Sequence, residues 1–175
     1  MGDSTITIIG IFLAAILMFV FPLMAMSDRT DDVSQLAVQT ATTEFVDTVR
    51  ATGRLTPANY TQYVQRLAAT GNSYDVELEA QILDENPGKK AVQSDPTKIG
   101  ENAYYSIYTS QIMDDYFKDN KTLALKEGDM FSATAKNTNL TISQQLKNAF
   151  YKVTGNDTYQ VAAQHAGIVT ANGNN

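Results

Sequence analysis

Apolar residues concentrate in one uninterrupted run near the start of the chain. Residues 6–26 read ITIIGIFLAAILMFVFPLMAM and contain no charged side chain. At about 1.5 Å of rise per residue, this run spans roughly 30 Å, the thickness of a bilayer core. Charges flank it, with Asp3 before it and Asp28, Arg29, Asp31 and Asp32 after it. The pattern predicts a retained transmembrane helix.

Two other interpretations of the apolar run stay open. A cleaved signal peptide has a basic beginning and an apolar core of roughly 7–15 residues, whereas no Lys or Arg precedes Ile6. Ala25-Met26-Ser27 does loosely fit a small-x-small cleavage site. A buried helix of a soluble protein fits less well, because a small domain has little surface with which to cover a run that is apolar on all sides.

Helical periodicity continues beyond the membrane. There is no Gly or Pro between Asp31 and Thr52, and apolar residues recur at spacings of three and four, the signature of one helical face: Val38, Ala41, Phe45 and Val49. Gly53 predicts the end of this helix, because glycine accepts the left-handed conformation. Pro22 predicts a bend near residues 18–22, since proline removes a backbone donor.

The remaining pattern predicts short helices and strands. Thr56-Pro57 begins a helix that ends by Gly71, and residues 74–82 alternate as a strand with one buried and one acidic face. The later elements are a loop over 84–100, a helix over 102–117 with a strand at 104–108 as the alternative, a strand over 130–136, a helix over 138–153, and a final strand or hairpin over 158–163 and 167–171, split at 165–167, before a frayed tail over 172–175.

These elements predict an α+β fold in two parts. Residues 1–52 form a long N-terminal transmembrane helix with an amphipathic extension. Residues 53–175 form an extracytoplasmic domain built on a small antiparallel sheet of three or four strands with short helices. A sheet of this size is stable when a helix covers one of its faces. The charge pattern determines the membrane orientation weakly, because only Arg29 lies close to either end of the span.

Composition excludes several function classes. The 13 Lys and Arg against 19 Asp and Glu give a formal charge of −6, which disfavours a nucleic-acid partner because phosphates require a basic face. The chain has no Cys and a single His, so thiolate metal sites, a Cys nucleophile and His-cluster metal sites are excluded. We therefore expect neither enzymatic activity nor a cofactor.

Four groups of residues outside the apolar run are candidate sites. The first is a set of three carboxylates on one strand face, Asp75, Glu77 and Glu79, but one strand cannot supply the ~6–8 oxygen ligands of Ca²⁺. The second group lacks the spacing of a calcium loop and consists of Asp114, Asp115, Asp119 and Asn120. His165 is the single histidine of the chain and has no nucleophile elbow beside it. The aromatic residues Tyr104, Tyr105 and Tyr108 either close the core, which is the favoured interpretation, or form a partner surface.

The layout of the chain resembles a known family. It combines an apolar helix containing Pro22 with the amphipathic segment Thr43-Glu44-Phe45-Val46-Asp47-Thr48-Val49-Arg50, and it also has Gly53-Arg54-Leu55-Thr56-Pro57, Gly128-Asp129-Met130-Phe131-Ser132 and Gly155-Asn156-Asp157-Thr158-Tyr159-Gln160. These features resemble TadE-like pseudopilins of the tight-adherence (Flp-type) pilus machinery. The resemblance implies a pilin-like fold, a non-enzymatic role in pilus structure or assembly, an extracytoplasmic soluble part, and partners among the membrane, other pilin-like subunits and the chain itself.

One feature departs from that pattern. Pilins carry a basic leader that ends in Gly and a Glu at the fifth position after it, whereas position 5 here is Thr and no basic leader precedes the run. Either the leader has already been removed or a prepilin peptidase does not cut this chain, and a membrane-resident role therefore fits better than a place in the filament shaft. Within the membrane, Gly10, Ala14 and Pro22 are the residues expected to shape helix–helix contact, because small residues allow close approach. The alternatives are a tethered binding adaptor of a conjugation or secretion apparatus, a secreted domain and, most distantly, a hydrolase that uses His165.

Overall fold

The computed structural model describes residues 2–84, 104–139 and 162–174, and has an α+β fold. One long helix, α1, packs against an antiparallel sheet, and short helices cover the rest of the core. The elements in chain order are α1 (Gly2–Thr52), β1 (Arg54–Leu55), α2 (Pro57–Ala68), β2 (Tyr74–Leu83), β3 (Tyr104–Tyr108), α3 (Thr109–Asp115), a 3₁₀ turn (Phe117–Asp119), β4 (Leu123–Ala124), β5 (Met130–Asn137) and β6 (Ala162–Ile168).

The main sheet has four strands in the order β3-β2-β5-β6, and every neighbouring pair is antiparallel. A separate two-stranded ladder joins β1 to β4. The predicted small antiparallel sheet is therefore confirmed. The predicted strands over 74–82 and 130–136 correspond to β2 and β5, with each boundary within one residue of its prediction.

The predicted long helix is confirmed as a single element. α1 has 51 residues and continues through Pro22. Its second half buries the predicted stripe of Val38, Ala41, Phe45 and Val49. The helix ends at Gly53, whose positive φ of 64° lets its N–H donate to the carbonyl oxygen of Val49, the expected left-handed C-terminal cap.

Alanines let α1 lie close to the sheet. Facing strands present Ala133, Ala135 and Ala163 to the helix side, and all three are buried. Their short side chains leave room for the larger Phe45 and the valines of α1, which are buried in the same core. The opposite face of the sheet carries the polar residues of β2, which confirms the predicted division of that strand into a buried and an acidic face.

The helix α2 completes the core beside α1. It begins as predicted, because Pro57 occupies its first turn and the Thr56 hydroxyl oxygen accepts from the N–H of Asn59. Tyr63 lies parallel to Phe45 with ring centroids 4.4 Å apart, and its hydroxyl is 2.9 Å from that of Thr42. Burial raises the pKa of Tyr63 above its ordinary value.

The helix predicted over 102–117 is wrong in its first part. Residues 104–108 form β3, as in the alternative interpretation, and the helix covers only Thr109–Asp115. The spacing of tyrosines by four was consistent with a helix, but pairing with β2 supplies the backbone hydrogen bonds of these residues. Where the chain leaves the sheet, the Thr109 hydroxyl oxygen accepts a hydrogen bond from the N–H of Leu78 at 2.6 Å.

The end of the chain also differs from its prediction. β6 runs unbroken through His165-Ala166-Gly167, the position where a split was expected. The tail is not frayed at 172–174, because Gly173 is buried against Gly53 and its N–H donates to the carbonyl oxygen of Leu125. Nearly all of the loop predicted over 84–100, most of the helix predicted over 138–153 and the segment 158–161 lie outside the described residues.

Candidate functional site

The first half of α1 is an exposed apolar surface. Ser4–Leu23 has a mean hydropathy of 2.7, and none of it is buried by the rest of the chain. It is the one helix among the described residues that is long and apolar enough to cross a membrane. The predicted packing residues lie here: Gly10, Ala14 and Pro22 are all exposed, and a side chain added at Gly10 would meet no atom within 4 Å. This helix therefore has its whole circumference available to lipid or to other helices.

The exposed apolar surface continues beyond the span. Val33 and Leu36 are both about two-thirds exposed, at 69% and 66%. Val33 borders a groove of about 500 Å³ between α1 and the C-terminal end of α2, which is lined by Arg29, Thr30, Val33, Ser34, Ala37, Arg66, Ala69 and Thr70. The mouth of this groove therefore lies within about 10 Å of the end of the span along the helix axis, given a rise of ~1.5 Å per residue.

The second half of α1 holds the edge strand β6 at both of its ends. The Gln35 amide donates to the Ala162 carbonyl oxygen at 2.7 Å and accepts from the Ala162 N–H at 3.2 Å. At the other end, Arg50 Nε donates to the Ile168 carbonyl oxygen at 2.8 Å. The Arg50 guanidinium lies directly over Gly167, where any Cβ would collide with it. These side chains fasten the sheet to the helix.

His165 also takes part in the contacts between β6 and α1. Its Nε2 lies 3.4 Å from Asp47 Oδ1, and the same carboxylate oxygen accepts from Arg50 at 2.7 Å. Asp47 and Arg50 therefore form an ion pair one turn apart on α1. No hydroxyl of the described residues bonds to His165, so the nucleophile that a hydrolase would need is not beside it in that part of the chain.

The acidic face of β2 is tied to neighbouring polar groups. Glu77 pairs with Lys136 at 3.2 Å, and Glu79 accepts from the Ser106 hydroxyl at 2.7 Å. Within the described residues, no group of three or more His, Asp or Glu side chains could hold a metal ion. The second acidic group is likewise dispersed, with Asp119 paired to Lys121 at 2.7 Å.

The three candidate tyrosines lie at the opposite edge of the sheet, on β3. Tyr104, Tyr105 and Tyr108 are 43%, 50% and 56% exposed, so these rings do not close the core. Tyr104 and Tyr108 point to the open face and Tyr105 to the α1 face, because they oppose Leu83, Glu79 and Ile82 of β2. The favoured interpretation of these tyrosines is therefore wrong, and the partner surface stays a prediction.

Sequence reasoning missed the residues that organise these surfaces. Gln35 and Arg50 carried no signal, since their partners lie more than a hundred residues away. Asp129 is buried, and its carboxylate accepts from the N–H groups of Leu83 and Lys126. Its position after Gly128 could have indicated this role, because aspartate in a turn commonly accepts from backbone amides.

A scan against protein-family models, a search of curated proteins and a search of solved structures each return no match to this chain.

Proposed function

We propose that this protein is a membrane-anchored, pilin-like structural or assembly component of a surface pilus or secretion system, resembling TadE-like pseudopilins. It acts by helix packing and not by catalysis. The observation that carries the proposal is the division of α1 into an exposed apolar span and a second half built into an α+β domain. Such a span supplies both an anchor and a surface on which other helices can pack in lipid.

Small residues on the span provide the contact surface in this proposal. Gly10 and Ala14 lie one turn apart on one side of α1, and exposed Val33 and Leu36 extend the apolar surface above the membrane. In lipid, helices associate by close packing because the hydrophobic effect no longer drives them together. A neighbouring helix can therefore approach at Gly10 and Ala14.

The test replaces these small residues in the full chain. Gly10→Leu with Ala14→Leu is expected to reduce copurification with other pilin-like subunits at least tenfold, while membrane attachment is retained because the span stays apolar. Phe12→Leu is the matched control, because Phe12 lies on the other side of the helix, at about 100° per residue. Unchanged association in the double variant would rule out packing at this surface.

Membrane attachment itself needs a separate measurement. Native protein is expected in the membrane pellet after alkaline extraction, with an N-terminal sequence that still contains the span. A soluble product beginning near residue 28 would instead support a secreted domain with a cleaved signal.

The exposed edge of β3 favours a second candidate, a membrane-tethered binding adaptor of a conjugation or secretion apparatus. The two candidates differ in which surface binds the partner. For an adaptor, substitutions at β3 weaken association and Gly10→Leu with Ala14→Leu leaves it unchanged. For a pilin-like subunit that packs through its span, the sensitivities are reversed.

A further inference from the structure

The two edges of the main sheet are treated differently. At β6, side chains of α1 occupy the outward backbone groups at both ends, through Gln35 at Ala162 and Arg50 at Ile168. At β3, no strand of the described residues pairs with the outer edge. An uncovered edge presents a row of N–H and C=O groups that can pair with another chain.

The outward groups of β3 can be assigned from the register. Both backbone groups of Leu78 meet the Thr109 hydroxyl, so even-numbered residues of β2 direct their backbone toward β3. Within β3, the residues that pair with these even-numbered positions are Ile107 and Tyr105, so their backbone groups point toward β2. The alternate residues of β3 therefore direct their backbone outward, and the Gln111 side chain already accepts from the N–H of Tyr108 at 3.0 Å. Ser106 and Tyr104 offer the remaining edge groups.

β3 also lacks the features that protect edge strands. Its sequence, Tyr-Tyr-Ser-Ile-Tyr, contains no Lys, Pro or inward-pointing charge, although natural edge strands use such residues to prevent pairing. Aromatic and β-branched residues favour an extended partner, because they pack across neighbouring strands. The chemistry of this edge is therefore that of a strand-addition site.

A second copy of this chain cannot pair antiparallel at this edge while both copies are anchored in one membrane. α1 and β6 run side by side in the same direction, because Gln35 meets Ala162 and Arg50 meets Ile168. Pairing two β3 strands antiparallel would reverse α1 in the second copy and point its anchor away from the membrane. A copy with its anchor aligned would have to pair in parallel at β3, a pairing that is slightly less stable per residue, or through β6, whose two ends α1 occupies. This exclusion rests on the proposed membrane anchoring.

We propose that the β3 edge binds an extended segment of a different protein by strand addition. The segment is uncharged over about five residues, the length of β3, and basic residues flank it. The basic flanks complement the charge of this chain, which is −6 overall. Near the site, Glu79 lies opposite Tyr108, and Asp114 and Asp115 follow at the end of α3. Backbone hydrogen bonds provide affinity, and the tyrosine rings select the side chains of the segment.

The probe is a labelled synthetic peptide with the sequence of β3 flanked on each side by lysines. It has no anchor, so it can adopt the antiparallel direction that a second full chain cannot. Binding is measured by fluorescence anisotropy with the full chain in detergent micelles. Saturable binding is expected, and a peptide with glutamates in place of the lysines is expected to bind at least threefold more weakly.

Ser106→Pro tests the edge directly, because it removes an outward N–H while pairing with β2 proceeds through Tyr105 and Ile107. Proline is tolerated on edge strands when its missing N–H faces outward. At least a tenfold loss of peptide binding is expected. Ser106→Ala is the matched control: it loses the same hydroxyl contact with Glu79 but keeps the N–H, and it should retain binding. Ser106→Lys, which adds a protecting charge without altering the backbone, should also weaken binding.

Three outcomes would overturn the proposal. These are absence of saturable binding to the unaltered chain, equal binding by Ser106→Pro and Ser106→Ala with both folded by circular dichroism, and loss of binding by Ala166→Pro on β6 instead. Ser106→Cys tests the exclusion of a second copy, since the chain has no other Cys. A bis-maleimide dimer in native membranes would contradict that exclusion. The peptide experiment does not depend on pilus assembly, so failure of the proposed function leaves it interpretable.

Discussion

The two halves of α1 share one continuous helix but have opposite surroundings. No residue of Ser4–Leu23 is buried, whereas the second half buries a stripe that includes Val38, Phe45 and Val49 against the sheet. In the first half apolar residues surround the helix, and from Val38 onward they are concentrated on one side. The comparison shows that helix formation is local, while the placement of apolar residues around the helix decides whether it faces lipid or a protein core.

The largest expected difference between the halves concerns buried aromatic rings. Phe45→Ala should lower the free energy of unfolding by about 3–5 kcal/mol, because it removes apolar contacts and leaves a cavity. Phe45 stacks on Tyr63 and meets the edge of Phe131. Phe12→Ala in the first half should leave domain stability unchanged. Guanidinium unfolding of the full chain in micelles, followed by circular dichroism, measures the free energy of unfolding of both variants. Equal losses of stability in the two variants would contradict the difference between the two halves of α1.

Replacing Gly53, at the end of the second half, is expected to destabilise the domain less than Phe45→Ala does, but by a measurable amount. Gly53→Ala should destabilise the domain by about 1–3 kcal/mol, the cost of a strained backbone site. The new Cβ would strain a positive φ of 64° and collide with the Ala171 carbonyl oxygen. Gly10→Ala is the matched control in the first half, where no atom lies within 4 Å. A shift in thermal midpoint for Gly10→Ala as large as for Gly53→Ala would show that the two halves unfold together.

The smallest expected effect is a loss of stability at high pH that is confined to the second half. Burial raises the pKa of Tyr63 above 10.0, although its hydrogen bond with Thr42 acts in the opposite direction, and burial also raises that of Tyr60. A raised folded-state pKa favours the protonated form, so this contribution is complete below pH 10 and declines as pH rises further. Tyr63→Phe should make the loss of stability above pH 10 smaller, and the loss that remains is the contribution of Tyr60. The span has no titrating side chain, so membrane attachment should not change with pH in this range.

The parts of the fold that local patterns specify were predictable. Thr56 and Pro57 began α2 as expected because capping involves residues within one turn. The alternation along β2 identified both its extent and its buried face. The tyrosines of β3 were more difficult, since their spacing is compatible with a helix and with a strand, and the pairing partner lies more than 20 residues earlier in the chain.

The candidate surfaces were predictable only in part. Gly10, Ala14 and Pro22 were located by composition alone, because a span that is apolar on every side needs no tertiary contact to be identified. The exposure of the β3 tyrosines could not be predicted, since aromatic residues usually bury most of their area. The protection of β6 depended on Gln35, whose polar side chain reads as solvent-exposed in the sequence.

The sequence by itself determined the apolar span, the amphipathic stripe of α1 and the alternation of the main strands. Each follows from the chemistry of neighbouring residues, for which the periods of helix and strand are known. The tertiary structure alone decided that β6 continues through Gly167 under Arg50, that α1 holds the ends of the β6 edge, and that no strand among the described residues pairs with the outer edge of β3. The physical reason is that strand pairing joins residues far apart in the chain, so the hydrogen bonds that settle an edge exist only after folding.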